Sequence, residues 1–154
     1  MPNENNDANP IACSLEEVEN HLRSFISNFI IPQAQPRWLE FLIDKRFEWE
    51  GTPRTPRRIK FYHKADEVMR HCAVEPQFCV KIPNSQCTPY NFDSTFGKVL
   101  GVYFALDMPP CRMNASDALA RFMLEDRCAL LSFLPGKKAL FFCHDGGIWK
   151  CGRE

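Results

Sequence analysis

The chain carries eight cysteines and four histidines, the side chains best suited to chemistry here. Cys111 follows Pro109-Pro110 and precedes a segment of helical spacing, where a helix dipole lowers a thiol pKa. His144 lies downstream at the end of an expected strand, beside Asp145. A thiol nucleophile, an imidazole base and a carboxylate to orient it are the parts of a cysteine hydrolase. Cys111, His144 and Asp145 supply those parts, but no local signature of a thiol enzyme surrounds Cys111. Asp145 also follows His144 directly, so on an extended strand its side chain points to the other face. The plainer reading is a packed thiol and a His-Asp pair that caps a turn.

The cysteines also group with histidines. One group is His71, Cys72, Cys79 and Cys87; the other is Cys143, His144 and Cys151. No CxxC pair occurs, and neither group has the paired spacing of a structural zinc site. A metal centre would need ligands from both, drawn from His71, Cys72, Cys79, Cys143 and His144. GxGxxG, GxxxxGK[ST], HExxH and GxSxG are absent, so no cofactor is expected.

A third constellation is electrostatic. Between Gly51 and Lys64 stand Arg54, Arg57, Arg58, Lys60 and Lys64, with no acid among them and with Phe61 and Tyr62 alongside. Arginine matches phosphate with a planar fork, and an aromatic ring offers a base a stacking face. Thr52 and Thr55 each precede a proline, and Thr55-Pro56-Arg57-Arg58 resembles a proline-directed phosphorylation site. The alternative is a solvated hairpin tip whose charge guards a sheet edge.

Those groups sit in a neutral frame: 154 residues with 19 basic and 19 acidic side chains. Neutrality excludes a polybasic coat for nucleic acid, and no apolar run approaches the ~20 residues of a membrane helix. The N-terminus Met1-Pro2-Asn3-Glu4 has neither the basic nor the apolar region of a signal peptide, so a cytoplasmic chain with reduced thiols is expected. Thirteen Phe residues are in excess; they suit a core of large flat side chains, with some left to form a partner-binding patch.

The elements follow from periodicity. Residues 1–12 read as a flexible leader and 13–154 as one globular domain. Ser14 and Glu17 form a capping box before Leu15, Val18, Leu22, Phe25, Ile26 and Phe29, a helix closed by Pro32. Pro36 begins a shorter helix reaching about Lys45. Phe47 and Trp49, then Ile59 and Phe61, alternate with polar residues and predict a hairpin around the basic loop. Ala65 to Cys72 is a short helix. Phe78, Val80 and Ile82 alternate as a strand, and Pro83 to Thr95 reads as a loop. Lys98 to Leu106 is a central strand ended by Pro109-Pro110. Asn114 caps a helix to about Arg127, and Ala129–Leu134, Ala139–Cys143 and Ile148–Cys151 form a meander whose first turn is Pro135-Gly136. The order predicts an α+β domain: a mainly antiparallel sheet with helices on one face, among them the N-terminal helices and the helix at about 114–127.

The expected function is that of a small non-catalytic binding protein with a macromolecular, protein partner. Its contact residues are the basic loop (Arg54, Arg57, Arg58, Lys60, Tyr62) and the long loop anchored by Tyr90 and Phe92. A nucleic-acid or polyanion binder using residues 51–64 is the first alternative, and the Cys111–His144 thiol hydrolase the second. Nothing in the chain fixes its oligomeric state.

Overall fold

Ser14 accepts a hydrogen bond from the Glu17 backbone N–H (3.1 Å) and starts helix α1, Leu15–Phe29. Its apolar stripe, Val18, Leu22, Phe25, Ile26 and Phe29, is buried throughout. The computed structural model describes the backbone of residues 11–44, 56–106 and 108–153, and the side chains of 12–44, 63–106 and 108–153. Helix α2, Gln35–Leu39, has Pro36 in its first turn and runs on as a π-helical turn, Glu40–Asp44. Helices α3 (Pro56–Arg70), α4 (Pro89–Phe96) and α5 (Ala115–Glu125) follow.

The strands are β1 (Ile11–Ala12), β2 (Cys79–Lys81), β3 (Gly101–Ala105), β4 (Met108–Met113), β5 (Ala129–Leu134), β6 (Lys138–Cys143) and β7 (Gly147–Gly152). They form one antiparallel sheet in the order β1-β4-β3-β5-β6-β7-β2, whose β5-β6-β7 section is the expected C-terminal meander. The fold is α+β.

Every residue of β3 is buried, which requires a cover on both faces of the sheet. On one face Val102, Phe104, Leu130 and Phe141 pack with α1, α2 and α3. On the other Tyr103, Leu131, Leu140 and Phe142 pack with α4 and α5. The helices are therefore not confined to one face: alternate residues of the central strands are apolar in both directions, and each set needs a layer. The aromatic excess fills both. Phe25 lies 6.0 Å from Trp38 and 6.1 Å from Phe141, ring to ring, and Phe122 lies 5.5 Å from Phe142 opposite.

Four further expectations change. Residues 56–64 are helix, not the return strand of a hairpin: α3 spans Pro56–Arg70, and Ala65, Val68 and Met69 bury one helical stripe. The short Ile59–Phe61 alternation fits either period, and the stripe beyond it decides for the helix. Phe47, Trp49 and the loop with Thr52, Arg54 and Thr55 lie outside the described residues. The segment Pro83 to Thr95 is not a loop, because Thr88 caps α4 by accepting from the Asn91 N–H (3.2 Å) with Pro89 at its start. Pro109 and Pro110 do not end the sheet but lie inside β4, at a break in register opposite Phe104. A bulge makes no demand for the N–H that proline lacks. Ile11 and Ala12, read as leader, pair with Arg112 and Cys111 of β4.

Candidate functional site

The thiol-hydrolase set is not assembled. Cys111 is on β4 and His144 follows β6, so three strand spacings, about 14 Å, separate them across the sheet. Cys111 is aligned with Tyr103, Leu131 and Leu140, and His144 lies a further four residues along. Cys111 is buried in the α4–α5 core, and burial pushes its thiol up, opposite to the activation expected at a helix start. Asn114, not Cys111, caps α5, accepting from the Asp117 N–H at 2.9 Å.

His144 and Asp145 do meet. They occupy the turn between β6 and β7, where strand alternation does not hold, and Nε2 of His144 is 3.6 Å from the Asp145 carboxylate. Nδ1 of His144 donates to the Asp126 carbonyl at 2.7 Å, which fixes the proton there. The His144 backbone N–H donates to Cys128 Sγ (3.3 Å), and burial pushes the Cys128 thiol up to about 11. Arg70 Nε lies 3.5 Å from Asp66 and 3.8 Å from Asp145. The cluster ties the end of α3 to the β6–β7 turn.

At its centre Cys72 and Cys143 form a disulfide, with Cα atoms 6.2 Å apart. The two cysteine-histidine groups thus come together, as a covalent bridge and not as a metal centre. The expectation that all thiols are reduced does not hold for this pair. Seventy-one residues separate the partners, so no local spacing marks them. Cys72 takes a left-handed φ of 48° after α3, and a side chain at Gly146 would collide with its sulfur. His71 is exposed beside the bridge, while Cys79 faces Cys151 in the β2–β7 ladder. Among the described residues no group of three or more His, Cys, Asp or Glu is placed to hold a metal ion.

Of the expected contact residues, Arg54 lies outside the described residues. Arg57, Arg58, Lys60 and Tyr62 fall on α3. Tyr90 and Phe92 part company on α4. Tyr90 is 81% exposed, whereas Phe92 is 1% exposed and its ring sits 5.3 Å from that of Phe96. Phe92 anchors the helix to the core and offers no surface, because two residues on a helix turn the side chain well away from Tyr90.

Sequence reasoning missed the exposed apolar residues other than Tyr90 on and beside α4 and α5. Of the eight large apolar side chains exposed among the described residues, Tyr90 lies on α4, Met123 and Leu124 on α5, and Val99 and Leu100 in the link from α4 to β3. The two helices pack against each other on one sheet face. Met123 and Leu124, the latter 84% exposed, follow the buried stripe Ala115, Ala118 and Leu119 around α5. Phe122, Met123 and Leu124 follow one another near the end of that helix, so they cannot all face the core, which is the signal in the sequence.

Among the described residues no helix is long and apolar enough to cross a membrane. Comparison with protein-family models, characterised proteins and solved structures gives no match.

Proposed function

We propose that the chain is a non-catalytic binding protein that docks a protein partner on its α4–α5 layer. The observation that carries this reading is the exposure of Tyr90, Met123 and Leu124 on α4 and α5, two helices that pack together, with Val99 and Leu100 exposed in the link that follows α4. Large apolar side chains left in water mark contact surfaces when they gather, and aromatic and Met residues are favoured at interface centres. The distance between Cys111 and His144 leaves the hydrolase reading without its geometry.

A photo-reactive amino acid placed at Tyr90 or at Leu124 in the chain's own cells tests this. Cross-linking of one discrete protein from both positions, and not from exposed Lys137 in the β5–β6 turn, supports it. Equal and diffuse cross-linking from all three positions contradicts it.

Binding of nucleic acid or another polyanion remains the second reading, supported by the basic start of α3. That helix has no acid in its first turn, so its dipole and its Arg and Lys residues add to one positive end. Phosphate contacts weaken steeply with salt, whereas an apolar docking surface is far less salt-sensitive.

A further inference from the structure

We infer that Cys79 and Cys151 are a second dithiol, which closes to a disulfide across the β2–β7 ladder and locks the edge of the sheet. This inference is independent of the docking reading. Cys79 and Cys151 are directly opposed. The Gly152 N–H donates to the Phe78 carbonyl (3.0 Å) and the Ile82 N–H to the Ile148 carbonyl (2.8 Å). Those bonds fall on the alternate pairs, so Cys79 and Cys151 occupy a non-hydrogen-bonded site, where opposed Cα atoms stand about 4.5 Å apart. That separation lies within the range a disulfide spans. Both side chains lie in the α1–α3 core, on one face of the sheet; the neighbouring Cys151 thiol holds Cys79 below its ordinary value, while Cys79 and burial push Cys151 up, which favours Cys79 as the attacking end.

Both sulfurs are buried, Cys79 at 3% and Cys151 at 1% exposure, but β2 is a three-residue edge strand. Short edges open locally at little cost, and opening admits a small oxidant. The oxidant is a low-molecular-weight disulfide such as oxidised glutathione. The Cys79 thiolate attacks one of its sulfurs, the S–S bond breaks, and one thiolate leaves. The Cys151 thiolate then attacks the Cys79 sulfur of the mixed disulfide and expels the second. Two protein thiols become a disulfide, and the oxidant leaves as two thiols that take up the two protons. With Cys72 already bridged to Cys143, the new bond fastens the stretch from Cys72 to Cys79 at both ends.

The test is disulfide mapping of the full wild-type chain across a series of glutathione redox buffers, followed by acid quench and alkylation. Trypsin releases residues 71–81, 139–150 and 151–153 as separate peptides, the first carrying both Cys72 and Cys79. The expected result is a shift from a two-peptide species to a three-peptide species as the oxidised share rises. Fragmentation at Glu75–Pro76 assigns Cys79 to Cys151, and free thiols fall from six to four. Hydrogen exchange at Val80 and Ile82, which stand at the hydrogen-bonded pairs of the ladder, slows in the oxidised form. Cys79 and Cys151 remaining alkylated at every ratio, stopping at glutathione adducts, or pairing elsewhere each overturns the inference. Cys87→Ser, part-exposed and packed against the core on the opposite face of the sheet, keeps the three-peptide species and serves as the control.

Discussion

Burial governs the reactive residues more than their neighbours do. Burial raises all four of the Cys13, Cys87, Cys111 and Cys128 thiols, but Cys111 and Cys128 are buried whereas Cys13 and Cys87 are partly exposed. At neutral pH a maleimide probe should label Cys13 and Cys87 before Cys111 and Cys128; rapid stoichiometric labelling of Cys111 would revive the hydrolase reading. His21 is a second case. Its Nδ1 lies 2.7 Å from the Ser132 hydroxyl, and its pKa is lowered, chiefly by burial, with Glu17 opposing and Arg112 reinforcing the shift. A lowered folded pKa means the unfolded chain binds more protons as pH falls below the unfolded value of about 6.5. Stability should therefore drop as pH falls from about 6.5 towards the folded pKa of His21. His21→Gln should flatten that part of a pH series of urea midpoints, and an unchanged slope would exclude His21 as its source. The His21–Ser132 contact was not legible in the sequence, since the residues are 111 positions apart and neither lies in a motif.

Caps and turns are local, and there the sequence spoke clearly. Ser14 and Asn114 cap α1 and α5 as their side chains dictate, and Gly136 takes φ 72° in the β5–β6 turn. Asn114→Ala should cost about 1 kcal/mol, read as a lower denaturation midpoint, because the Asp117 N–H loses its acceptor. A loss near zero would mean water replaces the cap. Elements decided by tertiary contacts were less legible. The start of α3 read as a strand because Ile59 and Phe61 alternate with Lys60 and Tyr62, and only the stripe Ala65, Val68 and Met69 reveals the helical period. Residues 83–95 read as loop because Pro, Asn and Ser dominate them. Proline at the first turn after Thr88 is instead a helix start. Tyr90 was legible as a contact aromatic, whereas the exposure of Met123 and Leu124 on α5 depends on how the helix packs on the sheet.

The whole molecule is a single sheet clamped between two helical layers, and one covalent link crosses it from α3 to β6. Closing a loop of 71 residues restricts the unfolded chain by about 4 kcal/mol in the chain-entropy description. Cys72→Ser with Cys143→Ser should lower unfolding free energy by about 2–4 kcal/mol, and reductant should lower the wild type alike. Reductant sensitivity that persists in the double variant would place the effect in another pair of cysteines. The docking proposal puts the partner on the α4–α5 layer, where Tyr90 and Leu124 are exposed. Native mass spectrometry of the protein purified from its own cells, beside Tyr90→Ser with Leu124→Glu, tests that most directly. The expected result is the wild-type chain carrying one additional polypeptide at moderate salt, and the variant chain alone. A bare wild-type chain, or a chain carrying nucleic acid that Arg57→Glu with Arg58→Glu releases, would contradict the docking reading.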